Sequence, residues 1–180
     1  MIVGDHIRLR AIERSDIPRF VEWLNDVEVT RHLLLYTPLS MDMEEAWFSG
    51  MERRAPEERP LGIEIETAAG WQLIGNVGFQ KLDWRVRETE IGIFIGEKSL
   101  WSKGYGRRAM AMMIRHGFDT LNLNRIWLRV NETNPRGIRA YESLGFVHEG
   151  RQRQASVQDG RYIDVLLMSV LRSEWQMPEY

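Results

Sequence analysis

A glycine-rich turn, Trp101-Ser102-Lys103-Gly104-Tyr105-Gly106, constrains the fold of this chain more than any other segment, because it separates a strand-like run from a long helix. The first N–H groups of a helix have no partner inside the helix, and the helix dipole adds about half a positive charge at that end. Glycines lack the Cβ atoms that would keep a phosphate away from this backbone. The turn therefore predicts a site for a phosphorylated ligand that requires neither a metal nor acidic side chains.

The segments on either side of the turn support this interpretation. The run Glu90–Ile95 is rich in β-branched and aromatic residues and is typical of a strand. From Gly104 onward, apolar residues and one glycine recur at helical spacing: Met110, Met113, Ile114, Gly117, Phe118 and Leu121. This spacing predicts a helix with one face in the core.

The composition fits one globular domain over residues 1–180, with 43% hydrophobic and 28% charged residues. The formal net charge of −2 gives no indication of a nucleic-acid partner. The absence of cysteine excludes disulfides, thiol nucleophiles and thiolate metal sites, and it fits a reducing compartment. The four histidines have no metal-ligand spacing, so we expect no metal site: His6, His32, His116 and His148.

Targeting signals are not evident in the sequence. The first residues lack the basic and apolar regions of a signal peptide, and no apolar run approaches the ~20 residues that cross a membrane. We therefore expect a cytoplasmic protein without a membrane partner. The Asn131-Glu132-Thr133 sequon is a chance match in that setting.

The N-terminal third predicts a strand followed by two helices. Ile7–Ile12 alternates as a strand does, Ser15 can cap a helix to about Asn25, and Ser40 can cap a second helix. The stretch between the helices, Val27–Pro38, is irregular and contains the leucine cluster Leu33-Leu34-Leu35. A charged loop with prolines follows the second helix.

The rest of the chain predicts a mixed sheet. Three strands joined by short turns indicate an antiparallel meander: Leu61–Thr67, Trp71–Leu82 and Thr89–Ile95. The helix from Gly104 then leads to a strand at Arg125–Asn131, which predicts a right-handed crossover between parallel strands. A short helix and a hairpin complete the pattern: Pro135–Leu144, Phe146–Gln154 and Tyr162–Leu171. The fold class is therefore α/β (α+β), with a sheet of about seven strands.

The glycine turn alone permits other interpretations. Gly104-Tyr-Gly106-Arg-Arg-Ala109 fits the dinucleotide pattern G-x-G-x-x-G/A, and Glu132 lies near the position expected of a ribose-binding acid. That fold uses repeated βαβ units, however, and only one crossover is available here. Gly96-Glu-Lys-Ser99 lacks the adjacent Gly-Lys of a P-loop. A third interpretation is that the glycines only tighten a turn.

A second motif favours one of these interpretations. Asn131-Glu-Thr-Asn134-Pro-Arg-Gly-Ile-Arg-Ala-Tyr141-Glu-Ser-Leu-Gly-Phe146 follows the strand after the crossover. Together with the glycine turn, it resembles the GNAT superfamily of acetyl-CoA-dependent N-acetyltransferases, in particular the branch of RimJ/RimL-type ribosomal-protein N-terminal and spermidine acetyltransferases. The resemblance covers nearly the whole chain. One departure is Trp101, where the superfamily often has Gln or Arg.

The resemblance implies a GNAT-type sheet, mixed but mostly antiparallel, with helices on both faces. It also implies that the turn holds the pyrophosphate of coenzyme A, through Ser102, Lys103, Gly104, Tyr105, Gly106 and Arg107. The pantetheine arm is then expected between two strands that splay apart, one ending at Phe94 and Ile95 and the other at Asn131. Asn134 is implied as a polar contact, although a residue before Pro135 can equally cap a helix.

The resemblance also assigns the proton transfers. Tyr141 matches the position of a general acid that protonates the departing thiolate of coenzyme A, since a phenol with a reference pKa near 10 stays protonated at neutral pH. The alternative is a tyrosine that only packs its ring. Glu90 is the candidate base. Its alternative is a strand carboxylate paired with Arg85 or Arg87.

The expected reaction is acetyl transfer from acetyl-CoA to a primary amine by direct attack, and a non-catalytic acyl-CoA sensor is the alternative from another class. The acceptor stays open among a protein N-terminus, an amino sugar or antibiotic, and a polyamine. Asp42, Glu44 and Glu45 lie close together but are typical of a solvated helix start. A homodimer is common among such enzymes.

Overall fold

An eight-stranded mixed sheet forms the centre of the computed structural model, which describes residues 1–33 and 35–178. Leu34 of the predicted leucine cluster and the last two residues of the predicted domain lie outside this description. The spatial order is β1-β2-β3-β4-β5-β6-β8-β7. The strands are β1 (Ile2–Gly4), β2 (Ile7–Ala11), β3 (Leu61–Thr67), β4 (Gly70–Asp83), β5 (Glu88–Ile95), β6 (Arg125–Asn131), β7 (Val147–Gln158) and β8 (Arg161–Leu171).

The described residues form five α-helices around the sheet. They are α1 (Ile17–Leu24), α2 (Val27–Thr30), α3 (Met41–Gly50), α4 (Tyr105–Arg115) and α5 (Pro135–Glu142). A π-helical turn at His116–Thr120 continues α4, where the sequence pattern predicts an unbroken helix. Among the described residues, no helix is long and apolar enough to span a membrane.

The prediction of about seven strands is one strand short. The additional strand, β1, pairs antiparallel with β2 from Ile2↔Leu9 to Gly4↔Ile7. The two strands are joined by a tight turn in which His6 has a φ of 54°. A strand of three residues is too short to produce a recognisable alternation, so the sequence pattern did not reveal it.

The predicted mostly antiparallel sheet with one parallel crossover is confirmed. Every neighbouring pair of strands is antiparallel except β5 and β6, which α4 connects. Helices cover both faces of the sheet, because α4 and α5 pack on one face while α1 and α3 pack on the other.

Local side-chain chemistry explains where the first helices begin. The predicted cap Ser15 lies instead in a short 3-10 turn, and α1 follows Asp16, whose carboxylate accepts from the Glu13 N–H and pairs with Arg10. Asp26 caps α2 through the N–H of Glu28. The predicted irregular stretch therefore contains one helical turn.

Two hydrophobic clusters lie on opposite sides of the sheet. The larger cluster includes the inward-facing residues of α4 and the β5 residues on the same face of the sheet as Ile91. The smaller contains Phe20 and Trp23 of α1, and Phe94 of β5 packs against it. Alternation along β5 therefore divides its side chains between the two helical layers.

Close packing at the end of β5 leads to a stability prediction. A Cβ atom at Gly96 would overlap the Trp23 indole, so Gly96→Ala must displace α1 from the sheet. We expect a loss of about 2 kcal/mol in unfolding free energy, measured by urea denaturation. Gly50→Ala is the matched control, because its Cβ meets nothing within 4 Å and the backbone is helical. It should stabilise by about 0.5 kcal/mol, and equal effects would contradict the packing argument.

Candidate active site

The parallel pair β5 and β6 separates soon after it begins. The two strands pair only at Glu88↔Arg125, Thr89↔Ile126 and Glu90↔Trp127. Beyond this point β5 continues to pair with β4 as far as Ile95, and β6 continues to pair with β8 as far as Asn131. The facing edges of β5 and β6 thus diverge and leave a gap with backbone N–H and C=O groups on both walls.

The glycine turn lies at the open end of this gap. Ser102 and Gly104 have left-handed φ values of 61° and 84°, and the first helical bond of α4 runs from the Arg108 N–H to the Gly104 carbonyl. Gly104 is the N-cap residue and provides no side-chain cap, so the first N–H groups of α4 point out of the helix. The exposed Lys103 adds a positive charge nearby. This is the arrangement that the sequence predicts for an anion site.

Trp101 has a role that sequence reasoning missed. Its indole Nε1 donates to the carbonyl of Ile95 over 2.8 Å, which fixes the turn to the end of β5. The Arg136 guanidinium lies 4.3 Å from the Trp101 ring centroid, in cation–π contact. Because Arg136 belongs to α5, this contact connects the β5 side of the gap to the β6 side. The sequence contained only an indirect signal, a tryptophan in place of the usual Gln or Arg.

The two β5 residues predicted to contact coenzyme A face opposite sides of the sheet. The Phe94 ring packs against Phe20 and Trp23 at centroid distances of 6.1 and 6.3 Å. Its side chain therefore attaches α1 to the sheet, and its backbone is what borders the gap. Ile95 packs into the larger cluster and uses its carbonyl for Trp101.

Asn134 is the N-cap of α5. Its Oδ1 accepts from the Gly137 N–H over 3.0 Å, and Pro135 occupies the first helical position. The capping role that the sequence allows is therefore observed, while a contact with coenzyme A stays a prediction.

Tyr141 lies on the inner face of α5, where it packs against the larger hydrophobic cluster and lies 5.9 Å from the Phe146 ring. Burial raises the pKa of the Tyr141 phenol to about 12, because the phenolate would lose its hydration. No hydrogen bond from this hydroxyl to another described residue is present. The group is thus a protonated donor at neutral pH.

Glu90 lies at the last paired position of β5 before the gap, and only 3% of its surface is exposed. Its Oε1 accepts from the Arg129 Nε over 2.8 Å. Lys81 Nζ lies 2.7 Å from Oε2, although this contact is not aligned as a hydrogen bond. The alternative interpretation, a solvent-facing carboxylate paired with Arg85 or Arg87, is therefore wrong. Those arginines belong to the turn between β4 and β5.

The segment after α2 contacts the turn of the β7–β8 hairpin. Arg31 pairs with Asp159 of the hairpin turn over 2.6 Å. The next residue, His32, has a buried Nδ1 without a hydrogen-bond partner. Burial and the positive charges of Arg31 and Arg136 lower the pKa of His32, so the imidazole is neutral.

The structure thus brings the turn, both strand ends and α5 together around one gap, with Glu90 and Tyr141 directed to opposite sheet faces. Within the described ranges, no group of three or more His, Asp or Glu residues could hold a metal ion.

Comparison with known proteins gives consistent results. Residues 6–147 match the family described as acetyltransferase (GNAT) domain. The chain is 31% identical to a spermidine N(1)-acetyltransferase from Vibrio cholerae, with 96% of this chain and 97% of the relative covered. It is 28% identical to a putative ribosomal N-acetyltransferase, YdaF, from Bacillus subtilis, with coverage of 97% and 96%. A crystal structure of spermidine N-acetyltransferase from Vibrio cholerae with CoA and spermine superposes with a TM-score of 0.84, at 29% identity and with 95% and 98% covered.

Proposed function

Because the chain belongs to the acetyltransferase (GNAT) domain family and is an N-acetyltransferase that uses acetyl-CoA, we propose that it acetylates a primary amine by direct attack. The acceptor in this proposal is a protein N-terminus or a small amine. The observation that carries it is the gap between β5 and β6, which opens beside the N-terminus of α4. We also propose that residues 1–180 act as one domain, since a single sheet runs through the described residues.

The walls of the gap suit a pantetheine arm. Amide groups along that arm can pair with the backbone groups that β5 and β6 leave without a strand partner. In this proposal Phe94 and Ile95 contribute backbone atoms, and the Asn134 side-chain amide contributes a further contact. The pyrophosphate lies on the turn, whose residues are Ser102, Lys103, Gly104, Tyr105, Gly106 and Arg107.

The proposed proton transfers use Tyr141 and Glu90. The amine must lose a proton to attack the thioester, and the thiolate that departs must gain one. Tyr141 is suited to the second step because its phenol is neutral and packs on the same face of the sheet as α4, whose N-terminal turn is the proposed pyrophosphate site. Glu90 is suited to the first step because it lies where the two strands separate.

A polyamine acceptor is the second candidate. The similarity to a spermidine acetyltransferase, in sequence and in backbone, favours it over an amino sugar or antibiotic. A direct assay decides between the candidates: thiol release from acetyl-CoA with spermidine, a peptide with a free N-terminus and an aminoglycoside, at equal concentrations.

Gly104→Ala tests the pyrophosphate site. Alanine is strained at the φ of 84°, so the turn must distort and the N–H groups lose their alignment. We expect CoA affinity by calorimetry to fall about tenfold, equivalent to about 1.4 kcal/mol, with no change for pantetheine, which lacks the pyrophosphate.

Gly70→Ala is the matched control for that variant. Gly70 also has a positive φ, 108°, and a Cβ there also meets nothing within 4 Å, but the residue is the first of β4, next to the hairpin turn that follows β3. It should lose similar stability and keep full CoA affinity. A loss of pantetheine affinity at position 104 would contradict the assignment.

Tyr141→Phe tests the general acid. The variant keeps the ring packing and removes only the proton donor, so kcat should fall by about 10²- to 10⁴-fold while CoA affinity is unchanged. Single-turnover acetylation and calorimetry measure the two quantities. Unchanged turnover would refute the assignment.

The pH dependence of kcat is a second, independent test of the role of the Tyr141 phenol. Because the raised pKa is about 12, the phenol stays protonated and functional until the pH approaches that value. The kcat of the wild type should therefore show no fall from this residue below about pH 11. An alkaline limb near pH 10 that disappears in the phenylalanine variant would show that the phenol is not desolvated.

Glu90→Gln tests the base. The demand for a base depends on the acceptor, since an alkylamine has a pKa near 10.4 and an α-amine near 8. We expect a kcat loss of about 10- to 100-fold with an alkylamine at pH 7 and a smaller loss with a peptide α-amine. Raising the pH toward 10 should restore the alkylamine rate. A loss that does not depend on pH would instead indicate the structural effect of leaving Arg129 unpaired.

A further inference from the structure

Lys81 has a backbone conformation that few lysines adopt. Its φ of 56° lies in the left-handed region, where a residue with a Cβ atom is strained. Strain of this kind persists where the surrounding structure imposes it, and it is concentrated at functional sites. The position of Lys81 in the sheet therefore requires a physical explanation.

The strain coincides with a β-bulge in β4. Gln80 pairs with Glu90 and Asp83 pairs with Glu88, so two β4 residues lie opposite a single β5 residue. In a regular strand successive side chains point to opposite faces of the sheet, so the side chain after Gln80 would point away from Glu90. The bulge instead directs the Lys81 side chain to the face on which Glu90 lies.

This arrangement places the Lys81 ammonium on a buried carboxylate. Its Nζ lies 2.7 Å from the Glu90 Oε2 and 5.3 Å from the centroid of the Trp127 ring. The Glu90 side chain is 4% exposed, whereas the Lys81 side chain is 56% exposed. A lysine that is half in water therefore supplies a positive charge to a carboxylate that is almost entirely out of water.

The two oxygens of Glu90 have different partners. Oε1 accepts a hydrogen bond from the Arg129 Nε over 2.8 Å. Oε2 lies close to the Lys81 ammonium, but no described residue donates an aligned hydrogen bond to it. Arg129 thus orients the carboxylate, while Lys81 supplies charge and leaves Oε2 able to accept a further hydrogen bond.

Neighbouring acids have a different cation. Glu88 and Glu149 both contact Arg125, and these three residues lie on the same sheet face. Among the described acids, Lys81 forms an ion pair with Glu90 alone. Its charge is therefore directed at the carboxylate that lies where β5 and β6 separate.

The same cations also lie at a surface cavity of about 380 Å³. Lys81, Arg129 and Trp127 line this cavity, and Glu90 does not. The two cations contact the carboxylate from the side of the cavity, so they lie between Glu90 and the solvent there.

Burial alone would make Glu90 a poor base. A buried carboxylate stays ionised only where cations or hydrogen-bond donors compensate for its lost hydration. A base must also be ionised before the amine arrives, because only the ionised form can take a proton. Without Lys81, Arg129 would be the one described cation left in contact with the carboxylate.

We propose that Lys81 is a positioning residue for acetyl transfer, which keeps Glu90 ionised and leaves its Oε2 free to take the proton of the acceptor amine. The inference rests on the proposed role of Glu90 as the base and identifies the group on which that role depends. The amine nitrogen attacks the thioester carbonyl carbon, its proton passes to Oε2, and the C–S electron pair leaves with the sulfur. Lys81 acts through Glu90 and not on the reacting atoms.

Lys81→Met tests this role, because it removes the charge and keeps the length of the side chain. We measure kcat from pH 6 to pH 9 with spermidine and with a peptide that has a free N-terminus. At each pH the rate is divided by that of the wild type, which cancels the protonation of the amine itself. The variant should be about tenfold slower at pH 6 and within about twofold of the wild type at pH 9.

Two further variants separate charge from structure. Lys81→Arg restores a cation at the same strained position and should restore the wild-type rate at every pH. Arg85→Met removes an exposed cation from the turn that follows β4 and should leave the pH profile unchanged. A loss in Lys81→Met that is equal at all pH values and is not restored by arginine would overturn the inference.

A double-mutant cycle tests whether Lys81 acts through Glu90. In the Glu90→Gln background there is no carboxylate to keep ionised, so Lys81→Met should change kcat by less than about twofold at any pH. A loss as large as in the wild-type background would show an effect that does not pass through Glu90, and it would overturn the inference.

A titration without substrate distinguishes this inference from the proposed function. The ¹³C signal of the Glu90 carboxyl carbon, assigned by its absence in Glu90→Gln, should change at a higher pH in Lys81→Met than in the wild type. If that difference is observed in a protein that acetylates none of the amines, Lys81 keeps Glu90 ionised and the proposed acetyl transfer is contradicted. If the protein acetylates an amine and the two titrations coincide, acetyl transfer stands and the role of Lys81 is overturned.

Discussion

The separation of β5 from β6 after three paired residues is the constraint on which the rest of the structure depends. Backbone N–H and C=O groups inside a protein are nearly always paired, and a sheet normally pairs them with the next strand. Here β4 and β8 pair with the outer edges of the two strands, while the inner edges are not paired beyond Glu90↔Trp127. The Trp101 indole donates a hydrogen bond to one carbonyl at this edge, that of Ile95. The remaining backbone N–H and C=O groups along the gap can pair with a ligand that has amides of its own.

The helices around the gap follow from the same geometry. A parallel pair requires a crossover, and α4 supplies it with its N-terminus at the open end. The positive end of the helix therefore faces the point where a phosphorylated ligand would enter the gap. The Asn134 cap starts α5 directly after β6, which places Arg136 against Trp101 across the opening. Pairing β5 and β6 along their whole length would be the more stable arrangement. In this structure the two strands are instead separate, with α4 on one side of the opening and α5 on the other.

Features set by local chemistry could be predicted from the sequence, and features set by tertiary packing could not. The glycine turn, the crossover and the Asn134 cap depend on residues close together in the chain, and all three are present. The partners of Glu90 come from β4 and β6, which no local pattern reveals. The burial of Glu44 depends on how α3 packs on α1, and charge clustering in the sequence indicated the opposite. The coenzyme-binding roles of the turn residues are predictions that await the binding experiments.

The two candidate proton-transfer groups lie on opposite faces of the sheet. Glu90 lies four residues before Phe94 on β5, so both side chains are on the face of the sheet that the α1 layer covers. Tyr141 packs with the α4 layer on the opposite face. A continuous sheet would keep these groups apart, so one reacting centre can reach both only through the gap. In the proposed reaction the amine loses its proton on one side while the thiolate gains one on the other. Burial that keeps the phenol protonated also disfavours a free thiolate, so the same dry environment raises the proton affinity of both partners in that transfer.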